Sequence, residues 1–208
     1  MQKLILVLAP HTDDGEFGCG GTLARLIEEG NEIVYVAFSA AEQSVLPQFP
    51  KDILRTEVQD AAKVLGIKPE HCIVHKFAVR RFNEVRQDIL ELMVEINGQF
   101  QPDIVFLPSL HDTHQDHQVI AQEGFRAFKK TTLMGYEIPW NNLDFRTSCF
   151  FALELPHVDQ KIRALACYKS QTHRAYAQEE YIRSLMMTRG IQIGKSYAEA
   201  FEVIRLVY

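Results

Sequence analysis

Apolar positions along this chain follow two rhythms. The first is an unbroken run, as in KLILVLA (3–9), EIVYVAFSA (32–40) and DIVFLPS (103–109). Runs this short, rich in branched and aromatic residues, suit strands buried on both faces, as in a parallel sheet. The second places an apolar residue at every third or fourth position, which gives a helix one apolar face. It is seen in GTLARLIEEGN (21–31), ILRTEVQDAAKVLG (53–66), VRQDILELMVEINGQF (85–100) and VIAQEGFRAFKK (119–130). Gly30 and Gly66 mark two helix ends. Shorter strands are expected at CIVHKF (72–77), LMGYEI (133–138) and CFFALEL (149–155). Two more helices are expected at 158–171, entered through Pro156, and at 179–190. The final YAEAFEVIRLVY (197–208) mixes both rhythms. The first strand is expected to stop at Pro10. Gly18-Cys19-Gly20-Gly21 is expected to form a tight turn, with Thr22 near the start of the first helix.

Alternating strands and helices predict an α/β fold, a Rossmann-like, doubly wound and mostly parallel sheet flanked by helices. One domain spanning 1–208 accommodates this pattern. Such sheets bind ligands beyond the carboxyl ends of their strands, where the strand order reverses. The runs at 3–9 and 103–109 each empty into a polar cluster, HTDD (11–14) and HDTHQDH (111–117). If these strands lead the two halves of the sheet, the two clusters meet at the crevice.

Composition narrows the function. A chain that is 47% hydrophobic and 24% charged is ordinarily globular. A net charge of −5 argues against nucleic acid or an anionic membrane as the main partner. Cys19, Cys72, Cys149 and Cys167 are far apart and lack a CxxC pair, which suits reduced thiols in the cytoplasm. The N-terminal apolar stretch lacks signal-peptide form, and no run reaches membrane-spanning length.

The glycines do not make a nucleotide loop. GxGxxG would need a glycine where Leu23 stands, and no GK[ST] follows. The histidines and aspartates point elsewhere. His11 and Asp14 flank one strand end, and His114 and His117 the other. Two imidazoles and a carboxylate form a common catalytic zinc shell, which leaves a fourth position open. Of the adjacent pair Asp13-Asp14, one can be a ligand and the other a base. Asp116 or Asp112 could orient an imidazole through its second nitrogen.

At these residues the sequence resembles the PIG-L/LmbE-like family of zinc-dependent N-acetylglucosamine deacetylases. The family's AHPDD followed by GCGGT reads here APHTDDGEFGCGGT (9–22), and its HxDH reads HQDH (114–117). RTEVQDAAKVLG, YKSQ and YAEAFE look similar too, so the resemblance spans nearly the whole chain. It implies that His11, Asp14 and His117 bind Zn2+, other divalent metals being acceptable to such a shell. It implies Asp13 as general base and His114, as imidazolium, stabilising the oxyanion or protonating the leaving group. The implied substrate is a small N-acetylated amino sugar or its conjugate, with no nucleic acid, no membrane span, and room for a homo-oligomer. Thr12, Gly15, Glu16 and Tyr168 depart from the family pattern. The pair Gly15-Glu16 is where a substrate preference is expected to begin.

Other residues have two readings each. Arg55 binds a substrate phosphate or hydroxyl, or it pairs with Glu57 or Asp52. His173 and Arg174 line the substrate rim, or they belong to an exposed linker. Arg80 and Arg81 are a solvated face, or they meet an anionic leaving portion. Trp140 stacks on a sugar ring, or it anchors packing. Two rivals to the deacetylase remain: a metal-dependent hydrolase of a different amide, and a non-enzymatic sugar- or nucleotide-binding module.

Overall fold

Seven strands form one mixed sheet in the order β3-β2-β1-β4-β5-β7-β6. The computed structural model describes residues 2–208. The strands are β1 (Leu4–His11), β2 (Glu32–Ser39), β3 (Cys72–Val74), β4 (Ile104–Pro108), β5 (Thr132–Tyr136), β6 (Cys149–Leu153) and β7 (Tyr197–Arg205). The helices are α1 (Asp14–Glu28), α2 (Ile53–Leu65), α3 (Arg86–Phe100), α4 (Gln115–Ala127), α5 (Leu155–Leu165) and α6 (Glu179–Ile191). β1 to β5 run parallel, and β7 is antiparallel to both β5 and β6.

Burial on both faces explains the unbroken apolar runs. In β1, Ile5, Val7 and Ala9 join a core with residues of α1, α2, α5 and α6. Leu6 and Leu8 join the opposite core with residues of α3 and α4. β1 does not stop at Pro10; its pairing with β2 continues to His11, opposite Ser39. No helix among the described residues is long and apolar enough to cross a membrane.

The glycine run is not a turn. α1 begins at Asp14, so Gly18, Gly20 and Gly21 lie inside it, and Thr22 is far from its start. Close packing is what these glycines permit. A Cβ on Gly18 would lie 2.4 Å from the Tyr136 ring, and one on Gly21 would lie 2.6 Å from Leu153. A buried ion pair braces the same stretch. Glu199 of β7 accepts the N–H groups of Gly21 (3.0 Å) and Thr22 (2.6 Å). Lys161 of α5 donates to Glu199 (2.6 Å) and to the Phe17 carbonyl (2.6 Å). Gly21 N–H and Phe17 carbonyl are i→i−4 partners in a regular helix, so the pair takes up two groups that ordinarily serve each other.

The tail that mixes both rhythms is strand β7. Its pattern is obscured because Glu199 and Glu202 are buried rather than solvated. Glu202 accepts a hydrogen bond from the Ser109 hydroxyl at 2.6 Å.

Candidate active site

β1 and β4 are adjacent and parallel, so their carboxyl ends open at the same edge of the sheet. Each leads directly into the N-terminus of a helix. Asp13 is the N-cap of α1 and His114 the N-cap of α4. Two helix N-termini thus bring their partial positive charge to one place, which favours anions there.

Three side chains converge. Asp14 Oδ2 lies 3.1 Å from His11 Nδ1 and 3.2 Å from His117 Nε2. One ligand atom from each residue lies within 4.8 Å of the others. The second nitrogen of each imidazole is also held. His11 Nε2 meets Asp116 Oδ2 at 3.0 Å, and His117 Nδ1 meets Asp112 Oδ2 at 2.7 Å. Both orienting aspartates are therefore used, Asp116 on His11 rather than on its sequence neighbour. Asp116 is fixed in turn by the backbone N–H groups of Arg80 (2.6 Å) and Phe82 (3.4 Å). Arg80 adopts φ +67°, a left-handed conformation that a non-glycine residue rarely takes without a structural reason.

The charge balance of this cluster fits a divalent cation. Burial opposes charge on both imidazoles. Asp14 nonetheless raises His11 to about 9, aided by Asp116, and raises His117 to about 10, aided by Asp112. Burial also opposes charge on Asp14, but His117 and His11 hold its carboxyl well below the usual range. Asp14, Asp112 and Asp116 are all buried, and these three carboxylates favour positive charge among them. Protons on the two imidazoles supply it, and so would one M2+ among the three ligand atoms.

A second set, His11, His114 and Asp116, also clusters. It fits a metal less well. Asp116 is fully buried and already accepts three hydrogen bonds, and His114 Nδ1 accepts the Asp116 N–H at 3.2 Å.

A cavity of about 290 Å³ opens over the first set and is lined by His11, Asp13, Asp14, His114 and His117 among others. Among the described residues, no other side chain hydrogen-bonds the Asp13 carboxylate. Burial, then the neighbouring Asp14, raises Asp13 to about 6. His114 is the residue expected to act as an imidazolium. Its Nδ1 is an acceptor, and burial together with His117 and His11 lowers its proton affinity. With Nδ1 accepting, Nε2 is the nitrogen left to face the cavity.

The departures from the family pattern resolve into one network, of which Thr12 lines the cavity and Gly15, Glu16 and Tyr168 do not. Glu16 is fully buried, with its oxygens against the hydroxyls of Tyr35 and Tyr168 (3.0 Å for the latter). Both hydroxyls also reach the carbonyl of Thr12, at 2.9 and 2.7 Å. Gly15 makes room, since a Cβ there would lie 2.5 Å from the Tyr35 ring. Gly15 and Glu16 therefore do not touch the cavity. The expectation that they begin a substrate preference is corrected, because they hold the His11-Thr12-Asp13 backbone from below.

Two proposed substrate residues lie elsewhere. Arg55 is spent on structure: it pairs with Glu42 (2.9 Å) and donates to the carbonyls of Val74 and His75 (3.2 and 3.1 Å). Its partner is neither Glu57 nor Asp52. His173 is exposed and outside the cavity. Arg174 does line the cavity, as do Trp140, Gln171 and Tyr176. Trp140 and Tyr176 stack at 3.9 Å and 11°, and Phe17 meets both edge-on. Trp140 thus packs and also faces the cavity. Tyr176 and Gln171 carried no signal in the sequence beyond their place in a polar loop.

Comparison with known proteins places the fold and its lineage. The family model described as PIG-L, GlcNAc-PI de-N-acetylase, matches residues 6–128. The "Uncharacterized deacetylase YaiS" of Escherichia coli (strain K12) is 29% identical over 176 residues, covering 81% of this chain and 92% of that protein. The solved N,N'-diacetylchitobiose deacetylase of Pyrococcus horikoshii superimposes with TM-score 0.77 at 21% identity, covering 97% of this chain and 84% of its own. The 4-carboxy-2-hydroxymuconate hydratase of Pseudomonas putida superimposes with TM-score 0.79 at 22% identity, covering 100% of this chain and 98% of its own. At that identity the two structures speak for the fold, an α/β architecture that serves more than one reaction.

Proposed function

The chain belongs to the GlcNAc-PI de-N-acetylase (PIG-L) family, and we propose that it is a zinc-dependent deacetylase of N-acetylated amino sugars, the whole of 1–208 acting as one domain. The observation that carries this reading is the convergence of His11, Asp14 and His117 beside an uncommitted Asp13. The four cysteines are unpaired, which suits the cytoplasm.

Zinc held by His11, Asp14 and His117 would polarise the amide carbonyl and bring the pKa of a water to about 7. The remaining steps belong to the chain. Asp13 takes a proton from the attacking water as its oxygen bonds to the acetyl carbon. Burial and the neighbouring Asp14 raise its proton affinity above that of an ordinary aspartate, which suits a group that must both accept and return a proton. His114 donates its Nε2–H to the oxygen that gains charge in the tetrahedral intermediate; one well-aimed donor contributes ~3 kcal/mol. The C–N bond then breaks, Asp13 returns its proton to the departing nitrogen, and acetate and a free amine leave. Asp112 and Asp116 keep the imidazoles turned toward the cavity.

The test is acetate release by zinc-loaded protein from a panel of N-acetyl sugars and their conjugates. Release from at least one, lost on chelation, is the expected result. No release from any, at full zinc occupancy, overturns the reading. The fold's hydratase relative makes water addition to an unsaturated carboxylate the next activity to assay.

A further inference from the structure

The wall formed by residues 138–141 and 171–176 holds a cation that the catalytic steps do not use. Arg174 lines the cavity, and among the described residues no carboxylate lies within ion-pair distance of its guanidinium. Arg55, Arg86 and Arg189, by contrast, each close on a glutamate. Arg174 is nevertheless not loose. Its Nε donates to Gln171 Oε1 at 2.7 Å. Gln171 is buried, and its amide donates to the Ser170 hydroxyl at 3.2 Å. Ser170 donates from its hydroxyl (2.6 Å) and its backbone N–H (2.9 Å) to the buried carboxylate of Glu57. A chain of hydrogen bonds from α2 thus fixes the guanidinium through its Nε; the Tyr176 hydroxyl is the other polar side-chain group beside it, and Arg174 lines the cavity. A planar fork held in this way is pre-organised for an oxyanion that accepts two parallel hydrogen bonds.

The neighbours of Arg174 indicate what would carry the anion. The guanidinium lies 5.6 Å from the centre of the Tyr176 ring, and Tyr176 is stacked on Trp140. Trp140 is 39% exposed and faces the same cavity. An aromatic face beside a fixed cation suits an apolar ring face bearing a negative substituent. A cavity of about 290 Å³ is at the small end of ligand sites and takes one sugar ring with a short substituent.

On the deacetylase reading above, we propose that the substrate is an anionic N-acetyl amino sugar, with a carboxylate or phosphate bound by Arg174 and its ring against Trp140. The rival role for Arg174 is electrostatic support of Asp13, since it also favours the ionised form of that carboxyl.

The experiment measures binding of N-acetylglucosamine, N-acetylglucosamine 6-phosphate and N-acetylmuramic acid to full-length zinc-loaded Asp13→Asn protein, alone and combined with Arg174→Gln or Arg174→Lys. One anionic sugar is expected to bind at least about 30-fold more tightly than the neutral one. Arg174→Gln should remove that preference and leave the neutral sugar unchanged, and Arg174→Lys should restore part of it. The phosphate and carboxylate arms separate the two sources of charge. Equal binding of all three sugars, or equal weakening of all three by Arg174→Gln, overturns the proposal. So does an Arg174→Gln change, in the protein with Asp13 intact, that shifts the pH profile of acetate release equally for neutral and anionic substrates. That result assigns Arg174 to Asp13. Selective binding of an anionic sugar with no acetate released by the unsubstituted protein keeps the anion site and removes the deacetylase reading. Acetate release without anionic preference does the reverse.

Discussion

Asp13 and Glu16 lie three residues apart at the start of α1, and burial pushes both carboxyls upward, Asp13 to about 6 and Glu16 to about 8. Their surroundings give them opposite duties. Asp13 faces the cavity, and no other described side chain hydrogen-bonds its carboxylate. Glu16 faces inward, and both its oxygens are engaged by tyrosine hydroxyls. A raised proton affinity alone therefore does not mark a catalytic acid or base. What separates the two is whether neighbours have already consumed the group's hydrogen-bonding capacity. An uncommitted carboxylate can exchange a proton with substrate, whereas a committed one holds a backbone in place.

The comparison breaks most sharply at Asp13. Asp13→Asn should reduce kcat by ~10² to 10⁴. Zinc content and thermal midpoint should stay near those of the parent. Activity within tenfold of the parent would put the base elsewhere.

Next come the residues behind the ligands. Asp112→Asn and Asp116→Asn should each weaken metal binding by ~10 to 100-fold, read by competition with a chromogenic chelator. Unchanged affinity in both would mean that the imidazoles need no second anchor.

Glu16→Ala should leave the two tyrosine hydroxyls to share the Thr12 carbonyl alone and cost ~1–3 kcal/mol in urea unfolding, with kcat per folded molecule little changed. Glu16→Gln should cost less. Lost turnover at full stability would move Glu16 to the catalytic side of the comparison.

A further consequence is a pH dependence of stability. His11 and His117 bind protons more tightly folded, at about 9 and 10, than at their ordinary 6.5. Their contribution is complete below pH 6.5 and is lost as pH rises through 9 to 10. Glu16 acts in the same direction, since its carboxyl ionises near 8 when folded and near 4.5 when unfolded. The metal-free protein should thus lose stability above pH 6.5, and zinc, which displaces the imidazole protons, should flatten the upper part of that slope. A metal-free profile that stops falling at about pH 8, where the Glu16 contribution ends, would mean the imidazoles are neutral without metal. His173→Ala, exposed and outside the cavity, should change neither activity nor stability by more than ~0.5 kcal/mol.

Both halves of the candidate metal site were legible because strand order does the work. Any chain with leading strands at 3–9 and 103–109 in a doubly wound sheet sets HTDD beside HDTHQDH. Element boundaries were less legible where glycine was involved. Gly18, Gly20 and Gly21 suggest a turn locally, and only the positions of Tyr136 and Leu153 explain them as helix. β7 was hidden because the partners that allow Glu199 and Glu202 to be buried, Lys161 and Ser109, are distant in sequence. The substrate wall was the least legible part. The stacking of Trp140 on Tyr176, and the commitment of Arg55 to the carbonyls of Val74 and His75, are tertiary facts with no local pattern.

The bond from Gly21 to Glu199 spans 178 residues, and that from Thr22 spans 177. During synthesis, α1 therefore emerges long before the carboxylate that satisfies its central amides. β1, β2 and β4 precede β7 in the chain, and the bonds from Gly21 and Thr22 to Glu199 can form only once β7, which lies between β5 and β6, is in place. Such distant closure slows folding. It also ties the bracing of the helix beneath the candidate metal site to the arrival of a segment 177–178 residues downstream. A nascent chain that stalls before residue 199 carries all three ligands but lacks the brace beneath them.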